Sequence, residues 1–245
     1  MPTFLQVALN GDSTHPATPR TPEAIAQAAL SVFNAGADSV HVHAFNTEGK
    51  ETLRGNECGQ VLRAIRALCP TTPISLTTSA SIVNDPVERL RLIQHWEELP
   101  DLVTANQGEP GIVELCEYLL TRGVAIEAGL LTASDADAFV ASGLANHCKR
   151  VLIEPLDLDP DVAVEHAATM ERILTDASIQ LEQVHHGYGI ACWQVNQHAL
   201  SRGHGIRTGL EDIGVLPDGT EAADNLQLTE AALAMIQAHT TRAAY

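Results

Sequence analysis

Short apolar runs alternate with longer amphipathic stretches from one end of the chain to the other. The runs Phe4–Leu9, Ser39–His43, Ile74–Thr78, Leu102–Ala105, Ala125–Ala128, Arg150–Glu154, Leu181–His185 and Ile206–Gly209 predict eight strands. Several are almost continuously hydrophobic, as parallel strands covered on both faces must be. The segments between them carry helix signals. Thr21-Pro22-Glu23 combines an N-cap, a first-turn proline and an acid that complements the helix dipole, and Asp85-Pro86 repeats the cap and proline before a helix over Val87–Glu98. Gly36 stops the first helix. Further helices are expected at 59–68, 110–122, 134–143, 160–175, 191–202 and 222–238. Eight βα units without a break in composition predict one α/β domain over residues 1–245, a single (β/α)8 TIM barrel. A doubly wound sheet is the alternative, but no Gly-x-Gly-x-x-Gly follows the first strand.

In such a barrel, chemistry gathers at the C-terminal ends of the strands. Those ends carry Asn10, His41 and His43, Thr77 and Thr78, Asn106, Glu127, Glu154, His185 and His186, then Arg207, Glu211 and Asp212. Residues two apart on a strand share a face, so His41 and His43 can aim two imidazoles at one point. Glu211 could complete a His-His-Glu metal site with an open position. Taken alone, Glu211-Asp212 reads as a solvated acid pair. With Arg207 upstream, an arginine beside Asp212 would keep that carboxylate ionised and oriented, as a general base for a carbon acid whose carbonyl sits on the metal. Thr77, Thr78 and Asn106 offer hydroxyl and amide groups to substrate oxygens. Glu127 or Glu154 would be a substitute metal ligand or the partner of a barrel arginine. Of His185 and His186, at most one faces the barrel axis.

Composition narrows the partners. The chain of 245 residues is 45% hydrophobic and 18% charged, an ordinary globular balance. A formal net charge of -17 disfavours nucleic acid and acidic membrane surfaces. The five cysteines are odd in number and form no Cys-x-x-Cys, which suits free buried thiols in a reducing compartment. No run approaches about 18 apolar residues and no signal-peptide pattern opens the chain, so a cytoplasmic protein is expected.

Six segments resemble one family, the β-keto acid cleavage enzymes, which include 3-keto-5-aminohexanoate cleavage enzyme. They are Ala8-Leu9-Asn10-Gly11, Thr21 to Ala26, Ala35 to His43, Leu76-Thr77-Thr78, Thr104-Ala105-Asn106 and Gly205 to Asp212. The resemblance implies a (β/α)8 fold with Zn2+, or another divalent metal, on His41, His43 and Glu211. It implies Asp212 as the base, with Arg207 and the Thr77 hydroxyl beside it. Asn10, Ser13, Thr78, Asn106 and Glu127 are the expected substrate-binding positions. The implied reaction takes a β-keto acid and acetyl-CoA to acetoacetate and a new acyl-CoA, in a homo-oligomer. The chain departs from the family pattern in places. Phe45 replaces an arginine, Ile213 an asparagine, and Thr77 a serine. Ser13 stands in the Asp12-Ser13 pair where members acting on amino-bearing keto acids place a glutamate, which argues against a cationic substrate. Two other readings stay open: a CoA-independent metal-dependent hydrolase or aldolase-type lyase, and a non-catalytic barrel that binds a small ligand.

Overall fold

The computed structural model describes residues 3–243. Along the chain the elements are β1 (Leu5–Ala8), α1 (Pro22–Ala35), β2 (Ser39–Val42), β3 (Ala44–Phe45), β4 (Glu51–Thr52), α2 (Gly55–Leu68), β5 (Ile74–Thr77), α3 (Pro86–Gln94), β6 (Leu102–Asn106), α4 (Ile112–Thr121), β7 (Ala125–Leu130), α5 (Ala133–Ser142), β8 (Arg150–Ile153), α6 (Pro160–Asp176), β9 (Glu182–His185), α7 (Cys192–Ser201), β10 (Gly205–Thr208) and α8 (Asn225–Ala243). Among the described residues, eight parallel strands close in the order β1-β10-β9-β8-β7-β6-β5-β2. Val7 of β1 pairs with Thr208 of β10 on one side and Val40 of β2 on the other, which seals the ring. The predicted (β/α)8 TIM barrel is the fold observed.

The caps act as their chemistry dictates. Thr21 Oγ1 accepts the Ala24 N–H, and Asp85 Oδ1 accepts the N–H groups of Val87 and Glu88. Thr132 and Asp135 form a reciprocal capping box at the start of α5. One helix is shorter than its periodicity suggests: α3 stops at Gln94, not Glu98. Trp96 turns inward there, is buried, and donates its indole N–H to the Leu53 carbonyl at 2.8 Å. Burying that ring outweighs one more helical turn.

The β3–β4 hairpin is an addition to the predicted elements. Asn46 Oδ1 accepts the N–H groups of Glu48 and Lys50, and Gly49 takes φ +75, so Asn46 to Gly49 fold the chain back on itself. The hairpin lies just past β2 and carries Glu51 to His43.

Outside the strands the core is apolar, with Ile25, Val61, Ile65, Leu115, Phe139 and Leu174 buried between helices and barrel. The barrel interior is different. Gln6 of β1 donates to Glu127 of β7 at 2.9 Å, and those strands stand opposite each other in the ring, so the bond crosses the interior. All five cysteines are free and buried. No helix among the described residues is long and apolar enough to cross a membrane.

Candidate active site

His41 is a β2 residue and His43 follows that strand's end, and the pleat turns both rings inward. Their Nε2 atoms are 3.2 Å apart. Glu211, in the turn after β10, places Oε2 at 3.7 Å from His41 Nε2 and Oε1 at 3.4 Å from His43 Nε2. Ligands about 2 Å from a tetrahedral ion lie about 3.3 Å from one another, so the three residues fit a metal. Glu211 Oε2 is buried without a hydrogen-bond partner, as an atom reserved for a ligand would be. Gly11 makes the approach of Glu211 feasible. At φ +62, a Cβ there would sit 2.6 Å from Glu211 Cγ.

The two histidines are supported differently. His43 Nδ1 bonds to the Glu51 carboxylate, delivered by β4. His41 Nδ1 meets only hydroxyls, Ser75 Oγ and Thr104 Oγ1, each at 3.2 Å. Their basicities diverge accordingly. Burial, opposed by Glu211 but helped by Arg207 and His43, pushes His41 down to about 3. Burial acts on His43 too, but Glu211 and Glu51 outweigh it and lift the ring to about 9.

Arg207, buried on β10, grips both acids of the following turn. Its Nε and Nη2 donate to Asp212 Oδ2 at 3.0 Å and Oδ1 at 2.7 Å, and Nη2 also donates to Glu211 Oε1 at 2.9 Å. Burial would favour the neutral acids. The guanidinium reverses this, holding Glu211 well below the usual carboxylate range and lowering Asp212 as well. On the far side of Asp212 stands His186. Its Nδ1 is 3.5 Å from Asp212 Oδ1, and its Nε2 is 3.4 Å from Glu154 Oε2. Burial raises the Glu154 carboxyl above its ordinary value. Glu154, His186 and Asp212 also lie close enough to hold an ion, but two features disfavour it. The ring turns a different nitrogen to each acid, and Arg207 already occupies Asp212.

His41, His43, Glu154, Arg207, Glu211 and Asp212 line a cavity of about 350 Å³. Asp12, Glu51, Thr77, Thr104, Asn106, Leu131, Leu156 and Tyr188 line it with them. The structure therefore brings together His41, His43, Glu211, Arg207, Asp212, Thr77 and Asn106.

Four expected substrate-binding positions lie elsewhere. Asn10 is buried, with Oδ1 accepting the His43 and Gly11 N–H groups and Nδ2 donating to the carbonyls of His43 and Pro19. Its amide is spent on holding the strand ends. Thr78 donates to the Thr104 carbonyl at 2.7 Å. Ser13 Oγ accepts the His15 N–H and bonds Thr18 Oγ1 within its own loop. Glu127 is fully buried below the site, bound to Gln6 and Ser75 with Arg150 Nε at 3.6 Å, so it is the partner of a barrel arginine. The argument from Ser13 against a cationic substrate falls with its position: Asp12 is the residue of that pair on the cavity wall. Phe45 and Ile213 are both buried off the cavity, and Arg20 lies over the Phe45 ring at 5.0 Å.

Three contributors escaped the sequence pattern, Asp12, Glu51 and Ser75, whereas His186 is the member of the His185-His186 pair that faces the site. Ser75 had a usable signal, since it lies two residues before Thr77 and so shares its face. Glu51 had none without the hairpin.

Fold and mouth together define a TIM-barrel enzyme with a metal-capable His-His-Glu cluster beside an arginine-bound carboxylate. The chain belongs to the beta-keto acid cleavage enzyme (BKACE) family, whose model matches residues 2–176 and 157–244. It is 26% identical over 230 residues to 3-keto-5-aminohexanoate cleavage enzyme of Fusobacterium nucleatum subsp. nucleatum, covering 88% of this chain and 83% of that one. The enzyme of the same name from Acetoanaerobium sticklandii is 23% identical over 231 residues, with the same coverage. Among solved structures, a ternary complex of ObcA with a C4-CoA adduct and oxalate superposes with TM-score 0.76 at 15% identity, covering 92% of this chain. A binary complex of ObcA with oxaloacetate gives 0.74, also at 15% and 92%. The chain spans 65% and 64% of those two ObcA chains, and the likeness establishes the fold. The protein is thus an enzyme of β-keto acid cleavage, acting on a carbon–carbon bond.

Proposed function

We propose that the enzyme takes a β-keto acid and acetyl-CoA to acetoacetate and a new acyl-CoA, with Zn2+ or another divalent ion on His41, His43 and Glu211. The observation that carries this reading is the double hydrogen bond of Arg207 to Asp212, made while the same guanidinium touches Glu211. Base and metal ligand are thereby held side by side. When bound, the ion supplies Lewis acidity for the oxygens of the keto acid.

The residues do the rest. Asp212, kept ionised by Arg207, removes a proton from the carbon between the carboxylate and the ketone. That carbon bonds to the thioester carbonyl of acetyl-CoA, and the CoA thiolate leaves. The thiolate adds to the original ketone carbon, and the bond between that carbon and the former carbanion breaks. A new acyl-CoA departs. The acetoacetate carbanion takes back the proton from Asp212, so atoms and charge balance. Thr77 and Asn106, on the cavity wall, hydrogen-bond the substrate oxygens and fix which carbon faces Asp212. The 3-keto-5-aminohexanoate cleavage activity of the relatives and the CoA adduct in ObcA support the choice of reaction.

The test is a panel of neutral, acidic and cationic β-keto acids offered to zinc-loaded protein with and without acetyl-CoA. Acetoacetate formed only with the thioester is the expected result. Turnover without it would overturn the reading in favour of a hydrolase or lyase.

A further inference from the structure

We infer that Glu127, buried beneath the site and out of reach of substrate, determines which nitrogen of His41 is open to a metal, acting through Ser75 and Thr104. The inference rests on the metal reading proposed above.

It follows from counting protons. Glu127 is 0% exposed. Its Oε1 accepts the Gln6 side-chain N–H from across the barrel at 2.9 Å, with Arg150 Nε at 3.6 Å. The Arg150 guanidinium is itself seated over the Phe4 ring at 3.9 Å. Its Oε2 accepts the Ser75 hydroxyl proton. A serine hydroxyl has one proton and two lone pairs. With the proton committed to Glu127, Ser75 can offer His41 Nδ1 only a lone pair, across 3.2 Å. Thr104 obeys the same arithmetic. Its Oγ1 is 3.2 Å from His41 Nδ1, 3.3 Å from Ser75 Oγ and 3.5 Å from Glu127 Oε2. Donated to Glu127 Oε2, its proton likewise leaves a lone pair for the ring. Facing two lone pairs, Nδ1 carries the hydrogen of a neutral imidazole. Nε2 is left with its electron pair, turned toward His43 and Glu211. This is the tautomer a metal requires.

His43 is supported differently, with the Glu51 carboxylate on its Nδ1. Glu127 does not line the cavity, so it is a positioning residue. In Glu127→Gln, the new amide can present N–H to Ser75. The serine proton is then free to turn toward His41 Nδ1, and the ring hydrogen moves to Nε2, where it blocks the ligand cluster.

The experiment has two readouts besides activity. Nitrogen-15 NMR of the histidine rings in metal-free protein reports the His41 tautomer, and competition against a chromophoric chelator reports zinc affinity. The wild type should show His41 protonated on Nδ1. Glu127→Gln should shift it to Nε2 and weaken zinc binding about 10- to 100-fold. A folded Glu127→Gln that keeps both the tautomer and the affinity would overturn the inference. Should that variant fail to fold, the wild-type spectrum alone decides, because His41 protonated on Nε2 contradicts it. A wild type that binds no zinc would instead overturn the metal reading on which it stands.

Discussion

His185 and His186 are neighbours, both fully buried, and they belong to different worlds. His186 faces the barrel mouth, between Asp212 and Glu154. His185 faces the helical layer, stacked on His204 at 4.7 Å and bonded to Gln183 at 3.1 Å. Around it, Glu171 takes three hydrogen bonds from Arg202, at 3.1, 3.3 and 2.8 Å, and one from His204 at 3.2 Å. The two clusters use the same residue types. In the outer one, both oxygens of the acid are claimed by neighbours. At the mouth, the ligand atoms of His41, His43 and Glu211 converge within 4.8 Å and Glu211 Oε2 is left uncommitted. Unpartnered nitrogens occur in the outer cluster too, at His185 Nδ1 and His198 Nε2, so chemistry is marked by the convergence of ligand atoms on one point more than by the kind of side chain. A strand end supplies that convergence, because the pleat aims the side chain at the axis.

The contrast can be broken most severely at Arg207. Arg207→Ala would leave Glu211 and Asp212 buried without their counter-charge, at a cost of about 3–5 kcal/mol. Loss of soluble protein or a steep fall in the denaturant midpoint is expected, and an unchanged midpoint would refute the role of the pair. Gly11→Ala attacks the mouth without removing any ligand. The strained backbone and the clash with Glu211 should cost about 1–3 kcal/mol and weaken zinc binding in chelator competition at least tenfold. Unaltered zinc affinity would mean that Glu211 is no ligand. Glu171→Gln in the outer cluster should lower Tm by about 2–4 °C, because a partly exposed pair contributes little, with zinc affinity and turnover unchanged. A loss of activity there would erase the distinction between the clusters.

The smallest effect is a pH dependence. Burial, with His204, His198, His186 and Arg202 nearby, holds His185 well below its ordinary value. Unfolded, the ring binds a proton below about pH 6.5, and folded it does not. The unfolded state therefore takes up more protons in mild acid. The contribution of His185 to stability is present above about pH 6.5 and is lost as the pH falls from there toward the depressed value. Comparing Tm at pH 7.5 and 5.5 for wild type and His185→Gln, the acid-induced drop should be smaller in the variant. Equal drops would place the titration elsewhere.

Much of this was legible along the chain. All eight barrel strands follow from their apolar runs, and the period of two brings His41 and His43 together. The last βα turn then delivers Arg207, Glu211 and Asp212 to the same mouth. What stayed hidden depends on contacts across the barrel. Glu127 ends an apolar run like any mouth residue, yet its partner Gln6 stands on the opposite strand, 121 residues away. Asn10 sits at a strand end, but its amide is consumed by the backbone of His43 and Pro19. Glu51 reaches His43 only because Asn46 and Gly49 turn the chain. Local periodicity tells which face a residue takes; it does not tell how deep in the barrel the residue lies or who has claimed its hydrogen bonds.

The central claim is that Asp212 is the base, held beside a metal it does not itself ligate. The most direct measurement is acetoacetate formation by wild type and Asp212→Asn, with bound zinc quantified in the same samples. The account predicts that the variant keeps its zinc and loses activity by about 10²–10⁴-fold. A variant that still forms acetoacetate at the wild-type rate, or that loses zinc along with activity, would contradict it.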